Sequence, residues 1–214
     1  MTRVRSEDYD SKKQVILDKA AALIARKGFD VATMMDVANA CGTSKSHLYH
    51  YFPSKEDLLY GIVRAHITQQ ADDLVRIVEQ PLPAEARFSQ FVESFVRGAA
   101  RGRDEHVILM NDLKYLPKAQ LKEVRALEVK MTELLEGLLQ ELNPKLMEPQ
   151  RVRKPYTLLL YGMMIWTFSW YHRSGEIGPQ ELAERISHLF VHGFAAEPPL
   201  VQAAAPATKR ARAA

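Results

Sequence analysis

Three helix-start signals fall within the 25 residues from 33 to 57, TMMDVANACGTSKSHLYHYFPSKED, and no other stretch limits the possible folds so tightly. Thr33 is a good N-cap, and Asp36, three residues on, is placed to reach back to the free amides and favour the positive end of the helix dipole. Val37 and Ala38 supply a small apolar face, and Gly42 follows Cys41 where the chain must leave the helix in a conformation that a Cβ penalises. Ser44 caps the next helix, in which Leu48 and Phe52 lie four apart and point inward. Lys45, Ser46, His47, Tyr49 and His50 remain for its outer faces, and all of them hydrogen-bond. Pro53 ends the segment, and Ser54 with Asp57 repeats the capping pattern to open a third helix. Two short helices around a glycine turn predict a helix-turn-helix, whose common use is to lay its second helix in the major groove of DNA.

The chain has 214 residues, 47% of them hydrophobic, enough for a small domain plus a larger one. Residues 1 to 30 carry charges every few positions and form no apolar signal region, and the single cysteine, Cys41, excludes an internal disulfide; both predict a cytoplasmic protein. The net charge is +3, and Lys209, Arg210 and Arg212 account for all of it. Attraction to nucleic acid therefore has to come from local clusters, with Arg3, Arg5, Lys12, Lys13, Lys45 and Lys55 as candidates.

Helical periodicity continues on both sides of the motif, and no run has strand alternation. Ile16, Ala20, Leu23 and Ile24 form the stripe of a scaffold helix that stops at Gly28. A long linking helix is predicted over 54–79, followed by helices over 84–101, 104–116, 118–142, 150–173 and 179–195. The prediction is an all-α chain with a three-helix helix-turn-helix domain over 1–53, a larger helical domain over 54–196, and a Pro- and Ala-rich disordered tail over 197–214. The uncharged run Pro155 to Tyr171 is at the short limit for a membrane span and contains Thr157, Gly162, Thr167 and Ser169, so it reads as a buried helix and no membrane partner is expected. No phosphate loop, HExxH, GxSxG elbow or paired carboxylates occur, which argues against an enzyme. His188 and His192 have acceptable metal spacing but no third ligand, so no metal is expected.

With Thr33, Asp36, Gly42, Ser44, Lys45, Leu48, Tyr49, Phe52, Ser54 and Lys55 in place, residues 11 to 60 resemble the TetR/AcrR family of bacterial transcriptional regulators. The resemblance implies a homodimeric repressor that binds operator DNA and is released by a small effector held in the larger domain. It carries DNA contacts to Thr33, Thr43, Ser44, Lys45, Ser46, His47, Tyr49, Tyr51 and Lys55, with Ser46 and His47 nearest the base edges and Thr33, Tyr49, Tyr51 and Lys55 at phosphates. His47 stands where the family most often has Ser or Thr, and His50 where it has an aromatic, so no operator sequence carries over.

The apolar and amphipathic residues Met110, Tyr115, Met131, Tyr156, Met163, Trp166 and Trp170 suit a pocket between helices. The stretches NDLKYLP at 111–117 and IWTFSWYHRSGEIGPQELAE at 165–184 look like the branch of the family associated with acyl-coenzyme A ligands and fatty or aromatic acid breakdown. Arg125, with Arg97, Arg101, Arg103 and Lys122, is then expected to meet the phosphates of a coenzyme A thioester. No other cofactor is expected. Leu182, Ile186, Leu189, Phe190 and Phe194 are expected to form the dimer interface in a four-helix bundle between subunits. A multidrug-efflux-type regulator and a transcriptional activator are the alternative readings.

Overall fold

A computed structural model describes residues 2–172 and 175–195, with side chains from residue 9 to residue 193. The expected tail over 197–214, the side chains of Arg3 and Arg5, and that of Phe194 lie outside the described residues. All regular structure among the described residues is helical.

Helix α1 (Thr2–Lys27) buries the predicted stripe through Ile16, Leu17, Ala20, Ala21, Leu23 and Ile24 and stops at Gly28, whose φ of +85° only glycine adopts without strain. Helix α2 (Met34–Cys41) opens with a complete capping box: Asp36 N–H donates to Thr33 Oγ1 at 3.1 Å, and Thr33 N–H donates to the Asp36 carboxylate at 3.0 Å. Gly42 closes it in the left-handed region at φ +67°. Ser44 caps α3 (Lys45–Tyr51) by accepting from His47 N–H at 3.1 Å, and Ser54 caps α4 (Lys55–Val78) by accepting from Asp57 N–H at 2.9 Å.

The larger part comprises α5 (Ala84–Arg101), α6 (Arg103–Asn111), a 3₁₀ turn at Leu113–Tyr115, α7 (Lys118–Leu142), α8 (Pro144–Met147), α9 (Gln150–Ile165), α10 (Thr167–Trp170) and α11 (Pro179–Ala195). Three details differ from expectation. The helix predicted over 104–116 gives way to the 3₁₀ turn, since Pro117 holds Leu116 in an extended conformation. The helix predicted over 150–173 is interrupted after Ile165, where the Thr167 hydroxyl donates to Met164 O at 2.7 Å and the Ser169 hydroxyl to Trp166 O at 2.8 Å. The short α8 is additional, with Pro144 at its first turn and Asn143 accepting from Leu146 N–H at 3.1 Å.

The hydrophobic core runs without a break from Ile16 to Phe190. Helix α4 is its axis. It packs on α1 and on α5, α6 and α7, buries Leu58, Leu59, Ile62, Val63, Ile67, Ala71 and Leu74, and brings Gly61 against Leu17 and Phe52. Among the described residues, no helix is long and apolar enough to cross a membrane.

Candidate DNA-reading face and effector cavity

Leu48 is completely buried, so α3 is seated on the core by one side and turns Lys45, Ser46, His47, Tyr49 and His50 outward to solvent. The Lys45 ammonium sits over the Tyr49 ring at 5.7 Å. Thr33 and Ser44 are exposed but hold helix starts, and Thr43 is half-buried in the turn between α2 and α3. The Asp36 carboxyl is held below its ordinary range, first by the Thr33 backbone N–H, then by the Thr33 hydroxyl and by Lys27.

Two expected DNA contacts are engaged inside the protein. Tyr51 is half-buried and stacks on Tyr9 of α1 at 4.7 Å, because the last turn of α3 leans onto the scaffold helix. Lys55 donates to Phe29 O at 2.8 Å and to Ala32 O at 3.0 Å, and lies 4.2 Å from the centre of the Phe29 ring. Its ammonium ties α4 to the connection between α1 and α2 instead of being presented to a phosphate.

A cavity of about 130 Å³ lies between α4, α5, α6, α7 and α9. Ile67 and Gln70 of α4 form one wall, Phe95 of α5 and Met131 of α7 others, and His106, Leu109 and Met110 of α6 a further side. Leu158, Tyr161 and Ile165 of α9 complete it, with Glu128 and Thr132 of α7. The Tyr161 hydroxyl donates to Met131 O at 2.8 Å, and burial pushes this phenol up from its ordinary value. His106 is only 1% exposed, and neither of its ring nitrogens has a hydrogen-bond partner. Burial lowers its imidazole to about 4, although hydrogen-bonding attraction to the backbone of Ile165 works the other way. The ring of His66 in α4 lies 5.8 Å from that of His106 and is also lowered to about 4, by burial first and by His106 second.

Of the ligand residues expected from the sequence, Met110 and Met131 line this cavity. Tyr156 and Met163 are half-buried against the core outside it. Arg125 is exposed and pairs at 2.6 Å with Glu128 on the cavity wall. Tyr115 belongs elsewhere: its ring stacks on Phe29 at 4.6 Å and its hydroxyl donates to Asp30, joining the 3₁₀ turn to the N-terminal helices. Trp166 and Trp170 are 65% and 53% exposed and do not line the cavity, lying on the same helical stripe as the exposed Leu159 and Gly162.

The expected dimer residues divide as well. Leu182, Ile186 and Phe190 are buried within the same subunit, with Phe190 stacked on Phe88 at 5.9 Å, whereas Leu189 is exposed. His188 and His192 stack at 3.8 Å on the exposed side, and no group of three metal-ligating residues occurs among the described residues.

Residues 16–61 match the family described as bacterial regulatory proteins, tetR family, and residues 81–194 match the tetracyclin repressor-like C-terminal domain. The chain belongs to the TetR family. A TetR-family transcriptional regulator from Bordetella parapertussis 12822 superposes with a TM-score of 0.80 at 33% identity, over 84% of this chain and 93% of that one. The transcriptional repressor KstR2 of Rhodococcus jostii (strain RHA1) is 26% identical over 144 residues, 65% of this chain and 71% of the relative. AibR in complex with isovaleryl coenzyme A and operator DNA shares the fold, with a TM-score of 0.72 and 21% identity over 83% of this chain and 97% of that one. As a TetR-family member, the chain is a DNA-binding regulator and not an enzyme.

Sequence reasoning missed Ile67, Gln70, Phe95, His106 and Tyr161 on the cavity wall. Two signals were present. Gln70 is the polar member of the otherwise apolar α4 stripe Val63, Ile67, Ala71 and Leu74, and His106 stands four residues before Met110 on the same side of α6.

Proposed function

We propose that this TetR-family regulator represses transcription by binding a near-palindromic operator as a homodimer, and that a small effector entering the cavity releases it. The observation that carries the reading is the double use of α4. Its first turns meet the DNA-reading unit through Lys55, bonded to Phe29 O and Ala32 O, and through Gly61, which lies against Leu17 and Phe52, and its middle supplies Ile67 and Gln70 to the cavity. A ligand that moves α4 relative to α6 therefore changes the pose of α3 in each subunit. The domain division belongs at residues 53/54, where α4 begins to serve both parts. A partner subunit fits over the exposed apolar side chains Leu158, Leu159, Trp166, Trp170 and Leu189, and this surface replaces the buried Leu182, Ile186 and Phe190 as the proposed interface.

Ser46 and His47 are assigned to base edges, with Thr33, Thr43, Ser44, Lys45 and Tyr49 positioning the backbone. An acyl-coenzyme A thioester of acid catabolism is the favoured effector class. Engineered apolar cavities of about 150 Å³ take benzene, so a cavity of about 130 Å³ holds a short acyl chain and leaves the nucleotide outside. Arg125, paired with Glu128 on the cavity wall, is the cation placed to meet that nucleotide. The target DNA places the working protein in the cytoplasm.

Selection of bound duplexes followed by fluorescence anisotropy tests the reading. A palindrome with half-sites about 34 Å apart is expected. With about eight phosphates neutralised by the dimer, log affinity should fall against log salt with a slope of about −7, and a slope near −2 on the selected site counts against it. For an effector that weakens operator binding 100-fold, coupling of about 2.7 kcal/mol requires DNA to weaken the effector by the same factor.

A further inference from the structure

We infer that His106 is the polar reading group of the cavity, and that the ligand end it accepts is an uncharged, oxygen-bearing hydrocarbon unit of about five to seven non-hydrogen atoms: a carbonyl or hydroxyl on a short or cyclic skeleton. This deepens the effector reading above and rests on it for its regulatory meaning.

The walls around His106 are hydrocarbon and aromatic, and their other polar groups are largely engaged. Tyr161 donates to Met131 O, the Thr132 hydroxyl donates to Glu128 O at 2.8 Å, and the Gln70 amide makes a long bond to Phe95 O at 3.4 Å. The backbone of Ile165 comes near enough to favour the charged form of the His106 ring, yet neither ring nitrogen completes a hydrogen bond at 1% exposure. A buried polar group without a bond destabilises the fold, and a native example calls for an explanation. A ligand oxygen supplies one.

The ring is held edge-on by Phe95, His66 and Phe168, with centroids 6.5, 5.8 and 5.7 Å away, so it is oriented before anything binds. A neutral imidazole offers one N–H donor and one acceptor, which matches a carbonyl or a hydroxyl. No cationic side chain lines the cavity, and its one carboxylate, Glu128, is paired with Arg125 at 2.6 Å. A ligand carboxylate would lose its water without gaining a counter-charge. The size follows from the volume of about 130 Å³, just under that of apolar cavities that take benzene.

Two sources share this chemistry: a free small ketone or alcohol, and the acyl end of a thioester. Calorimetric titration of the full-length protein with cyclohexanone, toluene, isovalerate and isovaleryl-coenzyme A separates them, using wild type and His106→Leu. Cyclohexanone is expected to bind wild type at least tenfold more tightly than isovalerate. His106→Leu should weaken cyclohexanone about tenfold, leave toluene within about threefold, and melt no lower than wild type, since leucine removes an unpaired polar group. Isovaleryl-coenzyme A binding tenfold more tightly than cyclohexanone identifies the thioester as the source, and equal or weaker binding identifies the free molecule; both keep the assignment.

Equal cyclohexanone affinity in the two proteins, preference of wild type for isovalerate, or no binding of any probe at 5 mM overturns it. Should His106→Leu fail to fold, the ring-nitrogen resonances of histidine-labelled wild type decide. Cyclohexanone must shift those of His106, and unmoved resonances at saturation overturn the inference. Operator affinity on the same preparations is a separate readout. The ligand pattern above with unchanged operator affinity removes the effector role and leaves the His106 assignment standing.

Discussion

The helices of the DNA-reading unit and those of the effector domain begin in different ways. In the first, α2 and α3 start on the capping side chains of Thr33 and Ser44, and α4, which joins the two parts, starts on that of Ser54. In the second, α5, α6, α7 and α9 start at Pro83, Gly102, Pro117 and Pro149 without a side-chain cap, and the short α8 is the exception, capped by Asn143. Local hydrogen bonds therefore hold the short reading helices in place, while the longer ones depend on burial against one another. The polar interiors differ in parallel. Among the described residues, the buried side-chain polar atoms left without a partner belong to His66, His106, Gln120 and Tyr171, all on α4 or beyond it. A rigid reader joined to a domain with unmet hydrogen-bonding capacity is a workable division for a switch, because ligand binding has something to satisfy only in the second part.

Acid should break the comparison first. His66 and His106 are both lowered to about 4 from an ordinary 6.5, so above pH 6.5 they are neutral in the folded and unfolded chain alike. Between pH 6.5 and about 4 the unfolded chain binds more protons, and stability falls with pH by up to roughly 3 kcal/mol for each histidine. Glu105, raised by burial, offsets part of this in the lower half of the window. Urea midpoints at pH 7, 5.5 and 4 should decline for wild type and decline less for His106→Leu, and a flat profile would contradict the buried neutral pair.

Leu48→Ala is next in size. Truncating this fully buried side chain should cost about 2–5 kcal/mol and abolish operator binding, while ligand affinity of the folded fraction stays near wild type. An equal loss of ligand affinity would mean that the two parts do not separate energetically. Thr33→Ala should cost about 1 kcal/mol by removing the capping box of α2. Its effect is expected on the midpoint of denaturation and on operator affinity, and a change in ligand affinity without either would reverse the assignment of Thr33 to the reader.

Legibility from the sequence follows the same division. Thr33, Asp36, Gly42, Ser44 and Ser54 act on backbone groups within a few residues of themselves, so their roles were readable in order along the chain. The contacts of Lys55 and Tyr51 were not readable in order, because their partners, Phe29, Ala32 and Tyr9, come from α1 and the connection after it. Trp166 and Trp170 continue the exposed stripe of Leu159 and Gly162, and the sequence alone does not show which face of that helix the rest of the chain covers.

The sequence by itself determined the all-α fold, the helix-turn-helix and its outward side chains, and the long linking helix, because capping, turn conformation and hydrophobic period are short-range. Only the tertiary structure decided which walls meet at the cavity. Gln70, Phe95, His106, Met131 and Tyr161 come from five helices. Whether a buried polar group among them has a partner depends on packing angles between helices that no local pattern encodes.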